Sequence, residues 1–259
     1  MPTVTVNGCA LFYEACGDER PGQPPLVLLH GALSTGAADW SGVAPLLAQR
    51  WRVLVPDCRG HGRSDNPQPS YHFGELAADT AALIRALGYP RAHVVGHSNG
   101  GNVALVTLLE HPAVVAAAVL QAANAYVSAD LLEREPLLFD PERVEREAPD
   151  WKAELIRLHG GRPGPDYWRT LMTLTVRAIV SEPNYTPADL AAVRRPVLVI
   201  QGELDDVNAP GRHAQFLAEH IPGAELWLPA GVRHNVQLER PETWTRRVLD
   251  FLDRAAPAA

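Results

Sequence analysis

Short apolar runs set between helix-period segments constrain this chain more than any other feature. "PLVLLH", "RVLVPD", "AHVVGH", "AAAVLQAA" and "PVLVIQG" are rich in Val, Leu and Ile and show no alternation of polar with apolar residues. A strand that is apolar on both sides must be covered on both faces. Crossover helices achieve that, so such runs belong to parallel sheets. The intervening segments carry helical periodicity, clearest in "FGELAADTAALIRALG", which stops at Gly88 with Pro90 just beyond, the usual way a helix ends. "TVTV" and "ALFYEA" flank Asn7-Gly8, a hairpin signal, and "ELWLPA" supplies an eighth strand. The fold class expected is α/β, a mostly parallel eight-stranded sheet with helices on both faces.

The rhythm breaks once. Residues 124–187 offer helical pieces such as "DLLERE" and "DYWRTLMTLTVRAIV" but no convincing strand. This predicts a core domain from residues 1–123 and 188–259, with 124–187 inserted as a helical lid. Ligands of open α/β sheets bind at the carboxyl ends of the strands, the edge such a lid would cover.

Composition excludes several partners. A net charge of −7 over 259 residues disfavours nucleic acid, which is bound through basic groups that displace phosphate counterions, and equally an anionic membrane surface. The longest apolar stretch, around "AVVAAAVLQAA", is well short of the ~20 residues that span a bilayer. "MPTVTVNG" has neither the basic start nor the apolar core of a signal peptide. Cys9, Cys16 and Cys58 have no disulfide or zinc spacing. The expectation is a cytoplasmic protein, monomer or homodimer, with no metal and no cofactor.

Chemistry concentrates in "VVGHSNGG", Val94 to Gly101. G-x-S-x-G is weak evidence alone, but here a strand precedes it and the helix-like "GGNVALVTLLEH" follows. That places Ser98 on a strand-to-helix elbow, with its hydroxyl at a helix N-terminus where negative charge is favoured. A serine nucleophile needs a base, and the base a carboxylate to orient it, following in the order Ser, acid, His. The loop after "PVLVIQG" offers Glu203, Asp205 and Asp206, whereas "QAANAY" after the preceding strand has no carboxylate. Asp205 is the acid expected, with Asp206 its competitor. Of ten histidines, His234 in "PAGVRHNVQLERPE" follows the last strand and precedes the last helix, where the base belongs. His111, His159, His213 and His220 fall on helices or helix ends and read as surface residues, and His61 reads as structural. The oxyanion hole would use the backbone N–H groups of Asn99 and of Ala32 in "HGAL". Leu33, beside Ala32, and Tyr126 and Trp168 from the insertion are candidate substrate contacts. For the aromatic pair, packing against the main domain is an equal alternative.

"LVLLHGALSTGAADW", "VPDCRGHGRSD", "VVGHSNGG", "VLVIQGELDDV" and "RHNVQLERPE" together resemble the α/β-hydrolase superfamily, over about Val4 to Arg254. Within it, "QAANAYVS" and "GELDDVNAPGRHAQFLAEHIPGAELWLPAGVRHN" are similar to the biphenyl-hydrolase-like, valacyclovir-hydrolase type branch. The resemblance implies a serine hydrolase that cleaves a small-molecule carboxylic ester through an acyl-enzyme. That branch has an aspartate after the nucleophile to meet a substrate ammonium. Here Asn99 stands instead, which removes the charge from that contact. Alternatives on the same residues are an acyltransferase, a C–C bond hydrolase, a biosynthetic cyclase or thioesterase, and a non-catalytic ligand-binding homologue.

Overall fold

In the computed structural model, which describes residues 2–161, 164–209 and 211–255, eight strands form one sheet. They are β1 (Thr3–Val6), β2 (Cys9–Cys16), β3 (Leu26–Leu29), β4 (Val53–Pro56), β5 (Ala92–His97), β6 (Val115–Gln121), β7 (Val197–Ile200) and β8 (Glu225–Trp227). Their spatial order is β1-β2-β4-β3-β5-β6-β7-β8. The Asn7-Gly8 turn, at φ 47° and 74°, folds β1 back on β2. The pairs β1–β2 and β2–β4 are antiparallel, and every later pair is parallel.

Twelve α-helices fill the connections among the described residues. They are α1 (Gly36–Trp40), α2 (Ala44–Leu47), α3 (Phe73–Ala86), α4 (Asn99–Glu110), α5 (Ala129–Leu138), α6 (Pro141–Glu147), α7 (Pro149–His159), α8 (Tyr167–Ile179), α9 (Pro187–Leu190), α10 (Ala214–His220), α11 (Val236–Glu239) and α12 (Pro241–Ala255). Alternate residues of a strand face opposite sides, so each central strand feeds two cores. Val27 and Leu29 join one face with α3, α4 and α8. Leu26 and Leu28 join the other, with Trp40, Trp244 and Phe251. The four helices α5 to α8 lie between β6 and β7 in sequence. Their Phe139, Val144, Leu155, Trp168, Leu171 and Met172 share the first core, so the insertion is anchored by continuous apolar packing.

The chain runs from β3 to β4 on one side, then returns to place β5 on the other side of β3. Loops leaving β3 and β5 therefore diverge, and the opening between them at the carboxyl edge is where ligands bind in sheets of this kind.

Candidate active site

Ser98 follows β5 and caps α4 with φ 54° and ψ −120°. A non-glycine residue in this region is strained and persists only because its surroundings fix it. Here the Ser98 N–H donates to the Gln121 carbonyl at 2.8 Å. A Cβ on Gly96 would fall on the Gly100 carbonyl oxygen, and one on Gly100 would fall on the Leu29 carbonyl oxygen. Glycine at both positions lets α4 start close against the sheet, which lifts Ser98 above its edge.

The loop after β7 brings Asp205 to His234. His234 Nδ1 lies 2.9 Å from Asp205 Oδ2 and 3.1 Å from Oδ1. Asp205 also accepts the backbone N–H groups of Val207 at 2.9 Å and Asn208 at 3.0 Å, and the Gln201 amide at 3.0 Å. Burial of this carboxyl works to raise its pKa. The hydrogen bond and charge of His234, with the Asn208 and Val207 amides, outweigh that and hold it below the ordinary carboxylate value. Asp206 is exposed and its backbone carbonyl accepts from Arg134; Glu203 binds the Gly231 N–H at 2.9 Å. Of the three acids in this loop, Asp205 is the one that meets the histidine. With Nδ1 turned to Asp205, Nε2 is the ring nitrogen that this carboxylate leaves free.

Ser98, His234, Asn99 and Ala32 line one cavity of about 240 Å³. Ser98 and His234 share it without a direct hydrogen bond, and such contacts commonly tighten only when substrate arrives. Asn102, Asn124 and Asn208 add amide groups to the lining, while Leu131, Leu138, Phe139 and Ile179 add apolar surface. The Asn99 side chain donates to the Tyr71 hydroxyl at 3.3 Å.

The three expected substrate contacts sit elsewhere. Leu33 is 4% exposed, packed in the core, with φ 54°. Trp168 is fully buried in the same core, which is the packing alternative. Tyr126 packs against a tilted His213 ring at 5.0 Å and edge-to-face with Phe216 at 5.1 Å, and donates to the Arg212 carbonyl. None of the three lines the Ser98 cavity. Two histidines read as surface residues, His159 and His213, are each 1% exposed: His159, on the insertion's own α7, is buried against Gly62 and Leu33, and His213 lies under Tyr126 and Ser128. His159 accepts the Gly62 N–H at Nδ1 and donates from Nε2 to the Leu33 carbonyl. That pins α7 to the loop after β3.

Two further groups were not anticipated. Asp39, from α1, accepts the Gly31 N–H at 2.7 Å, the Ser34 hydroxyl at 2.5 Å and His97 Nδ1 at 2.9 Å. It thereby fixes the "HGAL" loop, while the His97 ring packs on His234 at 5.0 Å. That loop carries Ala32, which lines the same cavity as Asn99. The second group is Glu135 on α5, whose side chain is 4% exposed. Arg134 binds its Oε1 at 2.7 and 3.0 Å and reaches the Val207 carbonyl at 2.6 Å, tying the insertion to the loop that carries Asp205. Spacing held a clue: Leu131, Glu135 and Leu138 share one helix face, and all three line the cavity.

A family model described as the alpha/beta hydrolase fold matches residues 24–241. The chain is 30% identical to the serine hydrolase BPHL of Mus musculus, over 96% of this chain and 85% of that protein. It is 29% identical to a putative carbamate hydrolase RutD of Caulobacter sp. strain K31, over 99% of this chain and all (100%) of that protein. Among solved structures, the enol-lactonase from Burkholderia xenovorans LB400 superposes with a TM-score of 0.76 at 26% identity, covering 97% of this chain and 100% of that one. Among the described residues no helix is long and apolar enough to cross a membrane. The chain belongs to the α/β-hydrolase family and is itself a hydrolase.

Proposed function

We propose that the protein is a serine hydrolase of small carboxylic esters, working through an acyl-enzyme. The observation that carries this is the Asp205–His234 pair at 2.9 Å, its carboxylate buried and its ring lining the cavity that holds Ser98. In this reading His234 Nε2 takes the Ser98 proton as Oγ attacks the ester carbonyl. The Ala32 and Asn99 N–H groups hold the resulting oxyanion; one such donor is typically worth about 10²–10³ in rate. Asp205 keeps Nδ1 protonated and stabilises the imidazolium. His234 then gives its proton to the leaving alkoxide, and a water activated by the same nitrogen releases the acid. No cofactor enters the sequence.

The cavity of about 240 Å³ lies below the usual ~300–1,000 Å³ of ligand sites, so the substrate is compact. Leu131, Leu138, Phe139 and Ile179 favour an apolar acyl or alcohol group, and the asparagine amides allow one polar substituent. We read residues 124–187 as the lid of a core made by 1–123 and 188–259, since α5 roofs the cavity. Carbamates and lactones, named for similar proteins, present the same carbonyl chemistry and belong in the test.

That test is a panel of short-chain esters, a γ-lactone and a carbamate, assayed on wild type and Ser98→Ala with product analysis. Ester hydrolysis by the wild type that Ser98→Ala loses is expected. Turnover only with an added alcohol or amine acceptor would establish an acyltransferase instead. Equal turnover by Ser98→Ala would overturn the serine mechanism.

A further inference from the structure

At the sheet edge opposite Ser98 lies a second cavity, of about 1010 Å³. Strands β3 to β7 are parallel, so their amino ends gather at this edge, and the residues leading into three of them are arginines. Arg52 precedes β4, Arg91 precedes β5, and Arg194 and Arg195 lead into β7; all line the cavity, as does Arg20 from the loop before β3. Among the described residues lining it, Glu19 is the one carboxylate. It stands 4.0 Å from Arg52 Nε and already accepts the Tyr89 hydroxyl at 2.7 Å.

These guanidinium groups are held mainly by main-chain oxygens. Arg52 donates to the Gly17 carbonyl at 2.8 Å, Arg91 to Ala113 at 3.3 Å, Arg194 to Ala191 at 2.7 Å, Arg195 to Pro112 at 3.4 Å and Arg20 to Gln49 at 3.3 Å. A carbonyl orients a guanidinium without neutralising it. His93 also lines the cavity, 1% exposed, and neither ring nitrogen has a hydrogen-bond partner. Five arginines thus face one carboxylate in a chain of net charge −7, which reverses the local field. A cleft lined by one sign of charge concentrates ions of the other, and the guanidinium fork matches phosphate oxygens.

We propose that this cavity binds a small, multiply charged phosphate compound, either a free polyphosphate anion or the phosphate tail of a nucleotide. A single cleft bordered by arginines suits a compact ligand, where nucleic acid would need an extended basic track. None of these residues lines the Ser98 cavity, so the proposal stands or falls apart from the esterase reading.

Isothermal titration with tripolyphosphate, ATP and the tricarboxylate tricarballylate tests it on wild type, Arg91→Ala/Arg195→Ala and, as a milder variant on an exposed loop, Arg20→Ala. Saturable one-to-one binding of tripolyphosphate is expected, with tricarballylate at least about tenfold weaker. The double variant should bind about 100-fold more weakly, and Arg20→Ala about tenfold, each charge-assisted contact being worth roughly a factor of ten. Both variants should keep the wild-type urea unfolding midpoint, which shows that they fold whatever the reaction at Ser98. ATP much tighter than tripolyphosphate identifies a nucleotide as the source; equal affinity identifies the free anion. Absence of saturable binding by either phosphate probe, tricarballylate binding as tightly, or unchanged affinity in the variants would overturn the proposal.

Discussion

Asp205 and Asp206 are neighbours in sequence with opposite surroundings. Asp205 is 6% exposed and accepts three donors besides His234, while Asp206 faces solvent. Asp205→Asn should therefore lower kcat by about 10³–10⁴, because an amide cannot hold the required imidazole tautomer. Asp206→Asn should stay within about twofold, since an exposed group without a carboxylate contact contributes little. Steady-state kinetics on the two variants checks this, and the reverse ranking would move the acid to position 206. At this scale the chain order of Ser98, Asp205 and His234 was readable: they follow β5, β7 and β8, and the fold sets Asp205 against His234 beside the cavity that Ser98 lines. The sequence was silent on Asp39 and His97, which meet at 2.9 Å across 58 residues of chain. No periodicity links such a pair. Their meeting depends on how α1 is seated against the end of β5.

The elements behaved similarly. Strands β3 to β7 were legible because burial on both faces leaves an unbroken apolar run, and β1 and β2 because the Asn7-Gly8 turn between them requires positive φ. The helices of the insertion were legible as helices, but their orientation was not. An apolar stripe says that a face is buried without saying against what. Trp168 entered the core for that reason, and Glu135 took a position in the cavity lining. Arg134 at that point bridges Glu135 and the Val207 carbonyl. Arg134→Ala should leave the Glu135 carboxylate buried without its partner and lower stability by about 2 kcal/mol, less than the 3–5 kcal/mol of a fully buried pair because the arginine is partly exposed. Adding Glu135→Gln should recover most of that loss. Urea midpoints of the two single variants and the double variant measure it, and strict additivity would show that the pair is not coupled.

For the molecule as a whole, four buried histidines, His61, His93, His159 and His213, resist protonation and make folding sensitive to acid. Burial pushes His93, His159 and His213 down to about 4 from the ordinary 6.5. Above pH 6.5 they are neutral in both the folded and unfolded chain, and their contribution to stability is complete. As pH falls from 6.5 towards 4, the unfolded chain takes up protons that the folded one refuses. Stability should then decline by up to about 1.4 kcal/mol per pH unit for each histidine. The depressed Asp205 carboxylate acts below that window, where its unfolded counterpart protonates. Urea midpoints at pH 7, 5.5 and 4.5 report the slope, and a flat profile would contradict the burial of these rings. The central claim concerns Ser98, which a sheet edge, a helix N-terminus and the Asp205–His234 pair converge upon. Intact-protein mass spectrometry after treatment with a fluorophosphonate tests it most directly. The account predicts one phosphonyl group added to the wild type, mapped to Ser98, and none added to Ser98→Ala. An unmodified wild type, or equal modification of Ser98→Ala, would contradict it.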